Sequence, residues 1–457
     1  MERVIMIPVA LTIAGSDPLG GAGVQMDLKT FASLGVHGVC ALTAVTAQNT
    51  LHVKDIYVVP PEIIMAQVDV LMEDVEINAA KTGMLRDKET VDVVCTIEDE
   101  YGFPLVVDPI IWAGSGERLA SPSAERAIID QLIPKATVVT PNIAEASLIA
   151  DMQIKTIRDM EEAAKAIASR GAEAVVVKGG HIHEEKDVVV DVMYVKENEE
   201  VRVFEKPRVR EGVSHGRGCC FSAAITAFIA MGESLSSAVE KTESYVEKVF
   251  GYPVDVGRGR KPANPLVLLQ HEAERWRVIS NVEKAVEMLE DEKNIDALIP
   301  EVRMNVGMAT SFARGVEDVA AVEGRIAALR GRARPLGCPK FGVSSHIARI
   351  ILKVMEYDPG MRAAINLRYS PEIIEACKKA ELVVSSFDRK GEPEDVSSVE
   401  GKSLQWGVEQ AIQRAKRVPD VIYDEGGYGK EGMVRVLAQT ATEAVEKVLR
   451  IKSQLKL

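Results

Sequence analysis

Residues 215–224 read His215-Gly216-Arg217-Gly218-Cys219-Cys220-Phe221-Ser222-Ala223-Ala224, a glycine-flanked turn that feeds directly into an apolar helix. Two glycines before a helix start let backbone N–H groups converge on an anion, and the helix dipole adds roughly half a positive charge at that end. Cys219 falls at the positive end, where a thiol drops below its free pKa of about 8.5 and can take a proton from a hydroxyl. A phosphate cradle with a built-in base is equipped for phosphoryl transfer. The same residues are equally compatible with a buried helix that begins at a glycine turn.

More polar groups stand where short apolar runs end. Asp17 lies in Gly15-Ser16-Asp17-Pro18-Leu19-Gly20-Gly21-Ala22-Gly23, a glycine-rich turn that opens a helix carrying Asp27 and lacks the Walker spacing. Asp108 closes Val106-Val107, Asn142 and Glu145 follow Val138-Val139-Thr140-Pro141, and Lys178 closes Val175-Val176-Val177. Each alone reads as a cap or turn residue. Together they suit the handling of a nucleotide triphosphate. Carboxylates can hold a Mg2+ bridging phosphates, a lysine can neutralise phosphate oxygens, and a helix start can receive the transferring group.

These groups require a parallel sheet, whose ligands collect at the carboxyl ends of its strands. Continuous apolar runs at Val9–Ala14, Val39–Val45, Val75–Ala80, Leu105–Asp108, Ala136–Thr140 and Ala174–Lys178 read as strands buried on both faces. Amphipathic stretches between them complete an α/β pattern, and Val188–Val195 with Val201–Phe204 reads as a hairpin. The pattern breaks at 252–265, rich in Gly, Pro and Arg, which marks the end of a domain. A charged helix near Leu266–Glu292 then leads into a second, smaller α/β domain.

That second domain offers Arg325, a basic run at 330–334, and Gly337-Cys338-Pro339-Lys340-Phe341-Gly342-Val343-Ser344-Ser345-His346. Ser344 or Ser345 caps a helix whose first turn holds His346, and cations around such a start suit a phosphate or pyrophosphate. A solvated charged face is the plainer reading. Lys430 sits in a later glycine-rich loop and is a weaker candidate.

The formal charge of −13 is uneven: residues 1–270 hold 26 basic and 39 acidic side chains, and residues 271–457 hold 29 of each. An acidic first module argues against nucleic acid as a partner. No apolar run reaches the ~18 residues of a membrane span, so the chain is expected to be cytoplasmic. The six cysteines lack metal-ligand spacing and are expected to be reduced.

With these residues in view, 8–267 resembles the hydroxymethylpyrimidine kinase/phosphomethylpyrimidine kinase family. The resemblance rests on Ala10–Pro18, Gly20–Phe31, Thr46-Ala47-Gln48-Asn49-Thr50, Lys81-Thr82-Gly83-Met84-Leu85, Lys178-Gly179-Gly180-His181 and the cysteine turn. It implies a ribokinase-like fold and two successive ATP-dependent phosphorylations, to the monophosphate and then the diphosphate. By position Cys219 matches the catalytic base, and Gly15, Ala22, Asp27, Gln48 and Met84 the pyrimidine pocket. Asp108, Asn142, Glu145, Lys178, Gly216 and Gly218 match ATP and phosphate contacts, with Asn142 and Glu145 associated with Mg2+. Arg217 and Cys220 replace the family's threonines; Arg217 either compensates by charge or points to solvent.

Residues from about 280 to 455 resemble the archaeal-type thiamine-phosphate synthase domain. The matching stretches are Val322–Ile326, Phe341–His346, Ile365–Pro371 and Asp420–Asp424, whereas Gly432 replaces a family proline. The resemblance implies coupling of the diphosphate to hydroxyethylthiazole phosphate, with release of pyrophosphate. Arg325 and His346 match its activity residues, and Lys340 and Lys430 are phosphate candidates. The expected layout is a kinase domain over 1–268, a linker over 269–279 and a synthase domain over 280–457. Two alternatives stay open: a second domain that only senses thiamine phosphate, and a first domain that phosphorylates pyridoxal. Small-molecule substrates are the expected partners, in a homo-oligomer without membrane or nucleic acid.

Overall fold

The computed structural model describes residues 7–113, 116–180, 187–208, 215–393, 402–427 and 431–455. The chain divides into two compact units, Met1–Leu268 and Leu269–Leu457.

The first unit is built on one sheet. Its strands are β1 (Val9–Ser16), β2 (His37–Gln48), β3 (Val53–Val58), β4 (Ala79–Thr82), β5 (Leu105–Val107), β6 (Val138–Val139), β7 (Ala174–Lys178), β8 (Val188–Val195) and β9 (Glu200–Pro207). They lie in the order β3-β2-β1-β4-β5-β6-β7-β8-β9. From β2 to β7 every pairing is parallel, and β3, β8 and β9 are antiparallel additions at the two edges. In β1, Ala10–Ala14 are fully buried on both faces, as a central parallel strand requires. The register with β2 slips between Ala14 and Gly15, and this irregularity turns the end of β1 toward the glycine-rich loop.

Helices cover both faces of that sheet. On one face Leu11, Ile13, Leu105, Val107, Val175 and Val177 share a core with α2 (Pro61–Met72), α3 (Lys88–Tyr101), α4 (Pro122–Ala127), α5 (Ile143–Ala150) and α6 (Ile157–Ser169). The other face is met by α1 (Gly23–Ser33) and α7 (Arg217–Ala230), with α8 (Leu235–Phe250) packed on α7. Residues 219–227 of α7 are all buried, which explains why this helix lacks a polar stripe.

Two sequence expectations shift. The run at 75–80 starts too early, because Val75 N still bonds Leu71 O in the turn after α2. The sequence pattern does not announce β3, since it is a half-exposed edge strand carrying Lys54 and Asp55.

Helix α9 (Val267–Asp291) starts in the last two residues of the first unit and runs unbroken through 269–279, the stretch expected as a linker, into the second. The sheet contains β10 (Val306–Ala309), β11 (Val319–Val322), β14 (Pro339–Phe341), β15 (Ala363–Arg368), β16 (Val384–Ser386), β17 (Val421–Asp424) and β18 (Met433–Ala438); β12 (Ile326–Leu329) and β13 (Arg332–Pro335) form a separate hairpin. The order β14-β11-β10-β15-β18-β17-β16 is antiparallel except between β16 and β17. One face packs on α9, α11 (Pro371–Lys379) and the helix Ala441–Ser453. The other packs on α10 (Ser345–Met355) and the helix Lys402–Ala415. No helix among the described residues is long and apolar enough to cross a membrane.

Candidate active sites

In the first unit the candidate residues gather along the carboxyl ends of the parallel strands, as a doubly wound sheet dictates. The glycines are what let them meet. A Cβ on Gly15 would stand 2.7 Å from Met84 Cε, and one on Gly23, whose φ is +56°, would stand 2.2 Å from Gly15 O. Gly216, with φ +77°, lies so close to the other glycine loop that a Cβ would reach within 1.9 Å of Gly21 O. The two glycine-rich turns are therefore one interlocked floor.

Above this floor, Asp17 accepts from the backbone N–H groups of Leu19, Gly21 and Ala22 at 2.9–3.1 Å. Its Oδ2 lies 3.0 Å from His215 Nε2, which in turn lies 3.4 Å from Gln48 Nε2. The Gln48 amide, whose Oε1 accepts from Thr46 Oγ1 at 3.4 Å, carries both a donor and an acceptor, the pair that the edge of an aminopyrimidine requires. His215 is a member that the sequence alone does not single out, although it opens the motif whose glycines carry the phosphate reading.

Asp27 is brought under the site rather than into it. Its carboxylate is fully buried, accepting from Lys81 Nζ at 2.8 Å and from Thr12 Oγ1 at 2.7 Å. Burial opposes the charge on Lys81, but Asp27 together with Cys219 and Asp108 outweighs it and holds the ammonium above its ordinary value. Lys81 also escapes a sequence reading, since a lysine inside an apolar strand gives no sign of its partner.

The phosphate end forms at the start of α7. Lys178 Nζ bonds Asp108 Oδ1 at 3.0 Å, and a Cβ on Gly218 would lie 3.3 Å from that Nζ and 3.4 Å from Asp108 Oδ2. Burial works against the Lys178 charge, yet Asp108 and Glu145 outweigh it and keep the group above its usual range. The N-cap position of α7 is Gly216, with no side-chain cap, so the first-turn N–H groups remain available. Arg217 is exposed and its guanidinium lies 5.5 Å from the centre of the Phe250 ring.

Two expectations change here. Cys219 is not acidified: burial pushes its thiol up to about 11, against the pull of Lys81 and the Gly23 N–H. A helix start lowers a thiol only where water also reaches it, and here desolvation outweighs the dipole. Asn142 and Glu145 form a reciprocal capping box, with Asn142 Oδ1 accepting from Glu145 N at 3.0 Å and Glu145 Oε2 from Asn142 N at 2.9 Å. Glu145 is buried, which pushes it up to about 7, and its Oε1 has only a long contact, 3.4 Å, from Ile111 N. No cluster of three or more metal-binding side chains occurs among the described residues. These donors fit a magnesium ion held by nucleotide phosphates and water, not a protein cage.

In the second unit a pocket of ≈ 420 Å³ brings Arg325 and His346 together, lined also by Glu301, Arg303, Asn305 and Ser345. Arg325 takes a left-handed backbone, φ +72°, at the turn before β12, and its Nη1 donates to Val302 O at 2.6 Å. Ser344 occupies the N-cap of α10 but makes no side-chain cap, so the helix start faces the pocket uncapped. Lys340 is not among the lining residues; it pairs with Glu323 at 2.8 Å on the edge strand β14. Lys430 lies outside the described residues.

The His346 imidazole is held down toward about 4 by desolvation at the pocket wall and then by Arg435, Arg325, Arg389 and Arg349, although the residue keeps an exposed face that water screens. It is therefore a neutral imidazole at neutral pH, able to donate an N–H hydrogen bond but not a stored proton. A histidine depressed on folding contributes stability above its unfolded pKa of about 6.5 that is lost as pH falls toward the folded value. Because water screens the exposed ring, this adds only a modest drop in the thermal transition of the second unit between pH ~7 and ~4. His346→Gln should flatten that dependence in a calorimetric scan.

Comparison with known proteins fits both units. Residues 17–264 match the family model for phosphomethylpyrimidine kinase, and residues 281–450 match that for thiamine-phosphate synthase ThiN. A bifunctional thiamine biosynthesis protein ThiDN of Methanocaldococcus jannaschii is 33% identical over 96% of this chain and 97% of its own length. The hydroxymethylpyrimidine/phosphomethylpyrimidine kinase of Haemophilus influenzae is 40% identical over 56% of this chain and 95% of its own. Among solved structures, an ADP complex of Bacillus subtilis pyridoxal kinase matches with a TM-score of 0.53 at 33% identity, covering 58% of this chain and all of that one. The chain belongs to the family of bifunctional thiamine biosynthesis proteins in which a ribokinase-like pyrimidine kinase precedes a thiamine-phosphate synthase domain.

Proposed function

We propose that the first unit phosphorylates hydroxymethylpyrimidine twice with ATP and that the second couples the resulting diphosphate to hydroxyethylthiazole phosphate. The observation that carries the kinase reading is the Lys178–Asp108 pair beside Gly218, at an uncapped helix start whose next residue is Cys219. In the first step the pyrimidine hydroxyl oxygen attacks the γ-phosphorus, the bond from that phosphorus to the β-bridging oxygen breaks with its electron pair leaving on ADP, and the hydroxyl proton passes to Sγ of the thiolate form of Cys219. Lys178 and the α7 N–H groups take up the charge on the moving phosphoryl group. Gln48, Met84, Gly15 and Ala22 hold the ring, and Asp27 supports the floor through Lys81. Magnesium would arrive with the nucleotide and supply charge neutralisation of its phosphates, with Glu145 and Asn142 facing its water shell.

In the second unit the pyrimidine methylene bonds to the thiazole nitrogen as its bond to the diphosphate oxygen breaks, and pyrophosphate leaves. Arg325 stabilises the departing charge and neutral His346 donates a hydrogen bond to it. Their convergence on one pocket favours catalysis over mere sensing. Feeding the full chain premade diphosphate and thiazole phosphate tests this: thiamine phosphate should form, whereas tight binding without product would mark a sensor.

The likeness to pyridoxal kinase motivates a second reading for the first unit. Initial rates with hydroxymethylpyrimidine and with pyridoxal decide between them, and dominant pyridoxal turnover would sink the pyrimidine assignment. We also assign the protein to the cytoplasm as a homo-oligomer. Val45 and Tyr57 are cross-strand partners, both exposed, and with Leu51 they leave an apolar surface at the β2–β3 edge of the sheet.

A further inference from the structure

The second unit buries a guanidinium that its own interior does not fully partner. Arg435 on β18 is 1% exposed, and its Nε is buried with no hydrogen-bond partner among the described residues. Its Nη1 donates to Asp424 Oδ2 at 2.9 Å and to Met433 O at 3.3 Å. The same carboxylate accepts from Arg389 Nε at 2.5 Å, from Arg389 Nη2 at 3.2 Å and from Gly426 N at 3.0 Å. Asp424 is fully buried and Arg389 is 12% exposed. Among the described residues, two shielded cations pair with one carboxylate here, a local excess of one positive charge. Such a charge is costly where nothing answers it.

Its place in the sheet says what could answer it. Arg435 lies directly opposite Asn366 of β15. The Asn366 carboxamide accepts from Asn305 N at 2.7 Å and donates to Arg303 O at 3.1 Å, and both of those residues line the Arg325–His346 pocket. The Phe387 ring lies 5.6 Å from each guanidinium carbon and closes an apolar side of the cluster. After burial itself, Arg435 is also the strongest influence on the His346 imidazole. The lining carries Arg303 and Arg325 against Glu301, an excess of one positive charge, which the cluster raises to two. That excess suits a ligand with more than one negative charge.

We propose that Arg435, clamped on Asp424 beside Arg389, is a positioning residue that places an uncompensated positive charge behind the pocket for the diphosphate group of its ligand. The inference rests on reading the second unit as the diphosphate-consuming site. Counted over the described residues, a diphosphate brings the pocket and cluster close to neutral.

The test titrates inorganic pyrophosphate into the full chain saturated with ADP, and assigns to the second unit the heat that Arg325→Ala removes. Arg435→Met should weaken that binding about tenfold or more and raise the KM for the pyrimidine diphosphate, with the kinase rate of the same variant unchanged. Asp424→Asn adds one positive charge without changing shape, so it should tighten pyrophosphate binding; a purely structural role for the cluster cannot produce tightening. If Arg435→Met fails to fold, the direction of the Asp424→Asn effect decides. Folded variants that bind pyrophosphate as the wild type does, weaker binding by Asp424→Asn, or no heat removed by Arg325→Ala would each overturn the proposal. Thiamine phosphate formation by the wild type, assayed separately, reports on the synthase reading alone.

Discussion

Cys219→Ala lowers kcat for phosphorylation of the pyrimidine hydroxyl by about 10²- to 10⁴-fold, the contribution of a positioned general base. The second phosphorylation falls far less, because its nucleophile is a phosphate oxygen that has no proton to lose. This split between the two steps separates a base from a residue that merely shapes the pocket. The pH dependence adds a sign. Burial holds the thiol at about 11, so the thiolate is the minority form at neutral pH and its share grows with each unit of pH. The wild-type rate of the first step should therefore climb through the range in which the protein stays folded, and Cys219→Ala should lose that slope. Cys220 provides the control. It is also buried, and its Sγ meets Thr30 Oγ1 at 3.7 Å on the side toward α1. Cys220→Ala should change kcat by no more than about threefold, less than the tenfold that 1.36 kcal/mol represents, and equal losses from the two variants would contradict the base assignment.

Lys81→Met destabilises the first unit by about 3–5 kcal/mol, the cost of leaving one member of a buried ion pair alone. Both side chains are fully buried, so no water can replace the lost partner. Asp27 then escapes its penalty only by taking a proton. Its folded pKa, already raised by burial, rises further without Lys81. A carboxyl raised on folding contributes stability below its unfolded pKa of about 3.9 and loses it as pH rises through the folded value. The deficit of the variant is therefore smallest in acid and grows toward neutrality in urea unfolding curves. Lys81→Met combined with Asp27→Leu should recover most of the loss, because two apolar side chains replace the pair without an orphan. Failure to recover would point to a packing role for the lysine stem.

The first unit is legible in the sequence because its strands are continuous apolar runs and its polar groups stand just beyond them. Asp108, Lys178 and the turn at Gly216–Cys219 meet for that reason. Its electrostatics is not legible. Cys219 sits at a helix start, yet the packing of α7 on every side reverses the direction of its pKa. Asn142 and Glu145, which the resemblance associates with magnesium, also carry the i to i+3 spacing of a capping box, and the coordinates show that box formed. The resemblance assigns Asp27 to the pocket, and nothing nearby in sequence betrays its partner Lys81, 54 positions away. In the second unit Arg325 and His346 meet at one pocket, but β11 and β18 give only weak strand signals in the sequence. Their apolar runs are short, and β18 carries Arg435 at its centre, a charge that argues against a buried strand until Asp424 is seen beside it.

One chain thus carries a first unit that makes a pyrimidine diphosphate and a second that consumes it. Incubating the full chain with hydroxymethylpyrimidine, magnesium, ATP and hydroxyethylthiazole phosphate tests it in one vessel. We predict that thiamine phosphate and pyrophosphate accumulate in equal amounts, and that Arg325→Ala instead accumulates the pyrimidine diphosphate. ATP consumption and diphosphate build-up in the wild type, with no thiamine phosphate, would contradict the account.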